Sequence, residues 1–239
     1  MTPIRIVCGE DNYLIQTASA TAVTREILTL LHPTSVADVG SGDGAWSKAI
    51  MDAGVNDVIA VDGPWVNQAK LKVPHDHFLV RDLSQHLSVA RSFDLVLCLE
   101  TAEHLPPSRA ASFVEDLTRL ASAVVFSAAI PGQGGAMHVN EQWPDYWAKL
   151  FDKQGFVALD VIRPRLWNNQ AVAPMYRQNM LLYVKKERHL QSPGLRSLLA
   201  TDPANILSLV HPLVFRNAVS DAAQEAHWQS QLKRRLGLN

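Results

Sequence analysis

Two cysteines in 239 residues, Cys8 and Cys98, leave no basis for a disulfide framework, and without a CxxC pair there is no zinc knuckle. Cys98 lies in an apolar run and reads as a buried thiol. Charge of one sign is also lacking. The formal net charge is -1 and Lys and Arg are scattered, which argues against a nucleic-acid glove or a membrane-surface patch. The basic clusters "KKERH" (185–189) and "KRR" (233–235) are short enough to be solvated faces. No apolar run is long enough to span a bilayer. The opening "MTPIRIVCGEDNYL" lacks the apolar core of a secretory signal. Repeats and low-complexity blocks are missing too. The expectation is a cytoplasmic protein with no membrane contact. Its 47% hydrophobic content suits one large α/β domain, or one domain plus an appendage.

What is present is an alternation. Apolar residues from Leu14 to Leu31 predict a helix over 12–31 that ends before His32-Pro33. Strands are predicted at 35–40, 57–63, 77–83, 93–100, 123–130, 157–167 and 179–186. Helices are predicted at 43–54, 64–71, 106–122 and within 143–156. Strands alternating with helices imply an α/β core over 35–186, with a largely parallel sheet covered by helices on both faces. Residues 1–186 form one predicted domain. Residues 187–239 read as a helical C-terminal appendage, packed on the sheet domain or used for homodimer formation.

The first strand runs into "VADVGSGDGAW" (36–46), a strand, a glycine loop and a helix start. Glycines permit tight turns and close approach of a ligand, and the helix N-terminus presents free N–H groups. The next strand ends in Asp62, about 20 residues on, where a carboxylate can accept both hydroxyls of a ribose. The spacing is GxGxG rather than GxGxxG, which fits poorly with a dinucleotide pyrophosphate.

"VADVGSGDG" resembles motif I of the class I S-adenosylmethionine (SAM)-dependent methyltransferases. "VIAVDG" resembles their second-strand acid, "VRDL" their third-strand acid, and "FDLVLCLETAEHL" their fourth-strand motif. The resemblance covers residues 35–130, and the strands to 186 by order. It implies a Rossmann-like fold with a seven-stranded, mostly parallel sheet, and SAM as cofactor. It further implies that Asp38, Gly40, Gly42 and Gly44 hold the amino-acid end of SAM, Asp62 the ribose, and Asp82 the adenine amine. Leu83 and Glu100 are implied as further cofactor neighbours.

The fourth strand ends in "LCLETAEHL" (97–105), where Glu100, Glu103 and His104 follow an apolar run. Such groups are costly at a buried strand end unless compensated. They fit three roles: a hydrogen-bonded cap, an acid/base pair with His104 taking a substrate proton, or a metal site. Positions 100, 103 and 104 point to one side of a helical turn, and the Gly-rich "PGQGG" (131–135) delivers His138 from the neighbouring strand end. The ExxEH pattern with a later histidine resembles two metal-dependent groups, the small-RNA 2′-O- and the ubiquinone-pathway O-methyltransferases. That implies Glu100, Glu103, His104 and His138 as ligands of a divalent cation, Mg²⁺ or Mn²⁺. Catalytic candidates are His104, Glu103, His138 and Glu141.

"HVNEQWPDYW" (138–147), followed by Trp167 and Tyr176, combines flat aromatic faces with polar groups, a mixture that suits a sugar. Residues 130–180 also resemble, less specifically, methyltransferases of glycan modification. The expected activity is O-methylation of a saccharide hydroxyl assisted by a divalent cation. The alternative is a metal-independent O-methyltransferase of a phenolic or catechol metabolite, with His104 as base. Nucleic acid is not an expected partner.

Overall fold

Leu95, Leu97 and Leu99 of the fourth strand face one apolar cluster, and Val96 and Cys98 face another. Ala123 and Val125 alternate with Val124 and Phe126 in the same way, as do Leu182 and Val184 with Leu181 and Tyr183. Side chains of a strand alternate between faces, so apolar residues at every position need cover on both sides.

The computed structural model describes residues 10–191 and 208–236. Its elements are α1 (Glu10–Leu31), β1 (Ser35–Val39), α2 (Ala45–Asp52), β2 (Asp57–Asp62), β3 (Phe78–Val80), β4 (Leu95–Leu99), α3 (Ala110–Leu120) and β5 (Ala123–Ser127). They continue with α4 (Pro144–Lys153), β6 (Phe156–Leu159), α5 (Arg163–Leu166), α6 (Pro174–Asn179), β7 (Leu181–Lys185), α7 (Lys186–Gln191) and α8 (Pro212–Leu236). The strands form one seven-stranded sheet in the order β3-β2-β1-β4-β5-β7-β6. β1 to β5 pair in parallel, and β7 runs antiparallel to both β5 and β6.

One face of the sheet is covered by Phe113, Val114 and Leu117 of α3 and by Trp147 and Phe151 of α4. The other is covered by Val23 and Ile27 of α1, Trp46 and Ile50 of α2, and Ile162 and Leu166 around α5. Strand order reverses between β1 and β4. Ligands of open α/β sheets bind at that reversal, beyond the carboxyl ends of the strands. The glycine loop, Asp62 and Glu100 all lie at those ends.

Three expectations are corrected. The predicted helix over 64–71 is only a 3₁₀ turn at Gln68–Lys70, begun by Asn67, whose side chain accepts from the Ala69 N–H. The strand predicted over 157–167 stops at Leu159. Arg163 then opens the one-turn helix α5 and pairs with Asp160 three residues back. The fourth-strand acids leave the sheet on a 3₁₀ turn, Ala102–His104, rather than on an α-helical turn.

The appendage begins at α7, directly after β7, and most of "PGLRSLLATDPANILSLVHPLVFRN" (193–217) lies outside the described residues. α8 docks by its start. The His211 N–H donates to Gln178 Oε1 (2.7 Å), and His211 Nε2 lies 3.1 Å from the Trp167 carbonyl. The imidazole packs against the Trp167 indole with ring centres 4.7 Å apart, and Val214 is buried. Further along α8, Phe215, Val219 and Trp228 are exposed. Among the described residues, no helix is long and apolar enough to cross a membrane.

Candidate active site

The cofactor side is built from the glycine loop and Asp62. The Gly40 and Ser41 N–H groups both donate to the Val61 carbonyl, which bends the chain sharply at the end of β1. Gly40, Gly42 and Gly44 all have positive φ. At Gly40 (φ +81) a Cβ would also fall inside the Thr101 side chain, so two independent reasons demand glycine there. The Asp62 carboxylate receives the Gly42 N–H on Oδ2 (2.7 Å) and the Gly63 N–H on Oδ1 (2.6 Å). Each oxygen thereby keeps a lone pair for a further donor such as a ribose hydroxyl.

The other cofactor candidates are placed unequally. Asp38 is buried, with Oδ2 accepting from the Ser47 N–H (3.1 Å) and hydroxyl (2.7 Å), and so ties β1 to α2. Burial pushes its carboxyl up to about 7, against the pull of Ser47. Asp82 is exposed just past β3, and its Oδ1 accepts the Ser84 N–H (2.9 Å) in a tight turn. The Leu83 side chain belongs to the core, and its carbonyl accepts from buried Arg109.

Gly40→Ala is expected to weaken binding of the demethylated product S-adenosylhomocysteine by at least about tenfold in calorimetry, because the left-handed φ strains any Cβ and Thr101 must move.

The reacting side centres on Glu103, which is 0% exposed. Its carboxyl oxygens accept no side-chain hydrogen bond, and its own N–H and the Ala129 N–H ease its charge only in part. Burial and the neighbouring Glu100 charge push its pKa up to about 9. One donor atom from each of Glu103, His104 and His138 lies within 4.8 Å of the other two. Backbone pairing brings the histidines together: the Val139 and Asn140 N–H groups donate to the Glu103 carbonyl at 2.8 and 3.0 Å. The two imidazoles then meet edge to face, ring centres 4.9 Å apart. His138 Nδ1 lies 2.9 Å from Glu141 Oε1, and Glu141 Oε2 accepts the Gly132 N–H (2.8 Å). Glu141 thus orients His138 and frees Nε2 to act as a ligand or base. His104, at the exposed lip, has its pKa lowered by burial and by His138, against the Met137 carbonyl.

Of the four expected ligands, Glu103, His104 and His138 group within 4.8 Å, and Glu100 lies outside that group. Its Oε2 accepts from Gln133 Nε2 (2.8 Å) and its Oε1 from Asn179 Nδ2 (3.1 Å). Its backbone is left-handed (φ +48), an uncommon state for a residue with a Cβ. Burial pushes its pKa up, and the Asn179, Gln133 and Ser127 hydrogen bonds oppose this.

Among the aromatics, Trp147 is core rather than a substrate platform, and Trp167 serves the α8 dock. Tyr176 stands edge-on to Trp46 (4.9 Å), and burial with nearby Glu100 and Glu103 raises its hydroxyl pKa. Met137, Val139 and Trp143 are exposed around His138 and Glu141 in sequence. Sequence reading missed Gln133, Gln178 and Asn179. The available signal was the amide-rich "RQN" (177–179) set directly before a buried strand.

Residues 36–123 match the family model described as a methyltransferase domain. Residues 36–123 carry a methyltransferase domain, and the chain has the Rossmann-like class I methyltransferase fold. Solved structures share its fold. The sugar N-methyltransferase KedS8 from Streptoalloteichus sp is 13% identical and covers 77% of this chain and 96% of its own, with a TM-score of 0.56. The methyltransferase domain of the bacterial protein CtHen1-C is 16% identical, covering 71% and 98%, with a TM-score of 0.53. The magnesium protoporphyrin IX methyltransferase of Synechocystis, solved with bound S-adenosylhomocysteine, is 17% identical, covering 74% and 86%, with a TM-score of 0.52. No curated protein sequence matches the chain. SAM is the cofactor that this domain implies, and the residues present fit it. Gly40 and Gly42 open the loop, Asp62 offers acceptors for hydroxyls, and a carboxylate-rich strand edge suits a cationic sulfonium and ammonium. Among the described residues, none of Asp38, Asp62, Glu100 and Glu103 is ion-paired with lysine or arginine.

Proposed function

We propose that this methyltransferase methylates a hydroxyl of a small acceptor bearing two adjacent oxygens, a saccharide diol first among them, with a divalent cation held by Glu103, His104 and His138. The observation that carries this reading is the Glu103 carboxyl, wholly buried without a side-chain hydrogen bond and within reach of two imidazoles. Backbone N–H groups of Glu103 and Ala129 ease its burial only in part, and a cation shared with two histidines would offset the rest. Three protein ligands leave positions open for acceptor oxygens. A carboxylate with two imidazoles suits Mn²⁺ as well as Mg²⁺.

SAM supplies an electrophilic methyl group on its sulfonium. A cation at Glu103 would lower the pKa of an acceptor hydroxyl. The protein's own residues orient and deprotonate. Asp62 and the glycine loop hold the cofactor, and Glu141 fixes the His138 ring; with the cation held, the acceptor proton would pass to water, and without it His104, neutral near pH 7, takes that proton.

A second reading is favoured by one observation. Met137, Val139 and Trp143, close to His138 in sequence, are exposed apolar side chains, which suit the flat ring of a catechol or phenol as well as the C–H face of a sugar. The test is methyl transfer from labelled SAM to saccharides, catechols and an RNA with a free terminal ribose, with and without EDTA. Transfer to a saccharide or catechol is expected to stop with EDTA and to return with Mg²⁺ or Mn²⁺. Full activity after EDTA would sink the metal reading and leave His104 as an unaided base. Transfer to RNA alone would overturn the acceptor class.

A further inference from the structure

Glu100 is the last member of a chain of amides that begins on the C-terminal helix. The His211 N–H donates to Gln178 Oε1 (2.7 Å), and Gln178 Nε2 donates to Asn179 Oδ1 (2.8 Å). Asn179 Nδ2 donates to Glu100 Oε1 (3.1 Å) and to Gln133 Oε1 (2.8 Å), while Gln133 Nε2 donates to Glu100 Oε2 (2.8 Å). Every donor points toward the carboxylate, so each bond polarises the next. The directions follow from the ends: a backbone N–H requires an oxygen from Gln178, and a carboxylate favours N–H groups from Asn179 and Gln133. Gln178 and Asn179 are buried, so water does not compete for these bonds.

This network holds Glu100 in a conformation it would not adopt freely. A left-handed φ on a residue with a Cβ is strained and persists only where the surroundings impose it. The Glu100 N–H donates to the Ser127 carbonyl (3.0 Å), which fixes the backbone, and the amides fix the side chain. Its neighbour Thr101 packs on Gly40, so Glu100 stands between the glycine loop and the Glu103 cluster, outside the 4.8 Å group.

We propose that the docked start of α8 is part of the cofactor site: through Gln178 and Asn179 it holds the Glu100 carboxylate toward the cationic end of SAM. Gln178 and Asn179 are positioning residues. The inference rests on SAM binding, not on the metal or the acceptor, and its test needs neither.

The experiment measures affinity for S-adenosylhomocysteine by calorimetry, and melting temperature, on the full chain in a double-mutant cycle. Asn179→Ala removes one of the two amide donors to Glu100 and is expected to weaken binding about tenfold, the loss of one hydrogen bond to a charged group. Val214→Asp places a charge in the α8 dock, on a helix outside the cofactor loop, and is expected to weaken binding at least about threefold. If Val214→Asp does not fold, His211→Ala, which removes the imidazole bound to Trp167, takes its place in the cycle. The double variant is expected to bind no worse than Asn179→Ala alone, because both changes break one chain. A dock variant that melts earlier but binds as the wild type overturns the proposal. So do two effects that multiply in the double variant, since packing alone would then account for them.

Discussion

His104→Ala is expected to lower kcat by a factor of about 10² to 10⁴ while leaving affinity for S-adenosylhomocysteine within about twofold of the wild type. The separation follows from geometry. His104 groups with Glu103 and His138, whereas the cofactor-facing hydrogen bonds run through Asp62 and the glycine loop. Its imidazole stands edge-on to His138 at 4.9 Å, so its removal also leaves one wall of the His138 pocket open. Burial and the neighbouring His138 lower its pKa, which keeps the ring neutral near pH 7 and able to accept a proton or bind a cation. The two roles give different rescues. Added imidazole restores part of the rate if His104 is chiefly a base, and raised Mn²⁺ restores part if it is chiefly a ligand. Near-normal turnover in the variant would show that the acceptor is deprotonated elsewhere.

The Glu103, His104 and His138 cluster could be anticipated because its causes are local. A buried strand that ends in acids and a histidine, followed by a Gly-rich loop with another histidine, has few ways to place them apart. What joins them in the fold is backbone pairing of Val139 and Asn140 to Glu103, a contact across 36 and 37 residues that side-chain patterns do not encode. Glu100 shows the limit. In the motif it stands as a ligand equal to Glu103, yet it is drawn away by Gln133 and by Asn179, residues that the chain brings from beyond two neighbouring strands.

The misread elements fail for related reasons. The run 157–167 stays apolar past the end of β6, and strand propensity alone would extend it. The arginine at 163, needing a buried carboxylate, finds Asp160 at helical spacing and Pro164 closes the turn. Trp147 and Phe151 lie four apart on α4 and share one buried face, a core signature that the polar neighbours in "HVNEQWPDYW" conceal. The sheet order, by contrast, follows from parallel strands that carry their helices between them, and the reversal beside β1 places the glycine loop and the fourth-strand acids side by side.

Asp62→Ala is expected to raise the dissociation constant for S-adenosylhomocysteine about 50-fold or more, equivalent to about 2.3 kcal/mol. Two losses combine. The carboxylate is an acceptor available to ribose hydroxyls at the end of β2, and hydrogen bonds to charged groups contribute about 1.5–3 kcal/mol each. It is also the clasp of the loop itself, because Gly42 donates to Oδ2 and Gly63 to Oδ1. Removing it frees two N–H groups at positions where glycines have no side chains to restrain them, so the loop samples conformations that do not receive the cofactor. Asp62→Asn separates the two contributions. Its single oxygen keeps one of the backbone bonds, and its NH₂ opposes the other, so affinity should fall between wild type and alanine. Turnover at saturating SAM should recover more fully in Asp62→Ala than in His104→Ala, since the first removes binding and the second removes chemistry. Wild-type affinity in Asp62→Ala would mean that the cofactor hydroxyls are held by another group, and that Asp62 serves the loop alone.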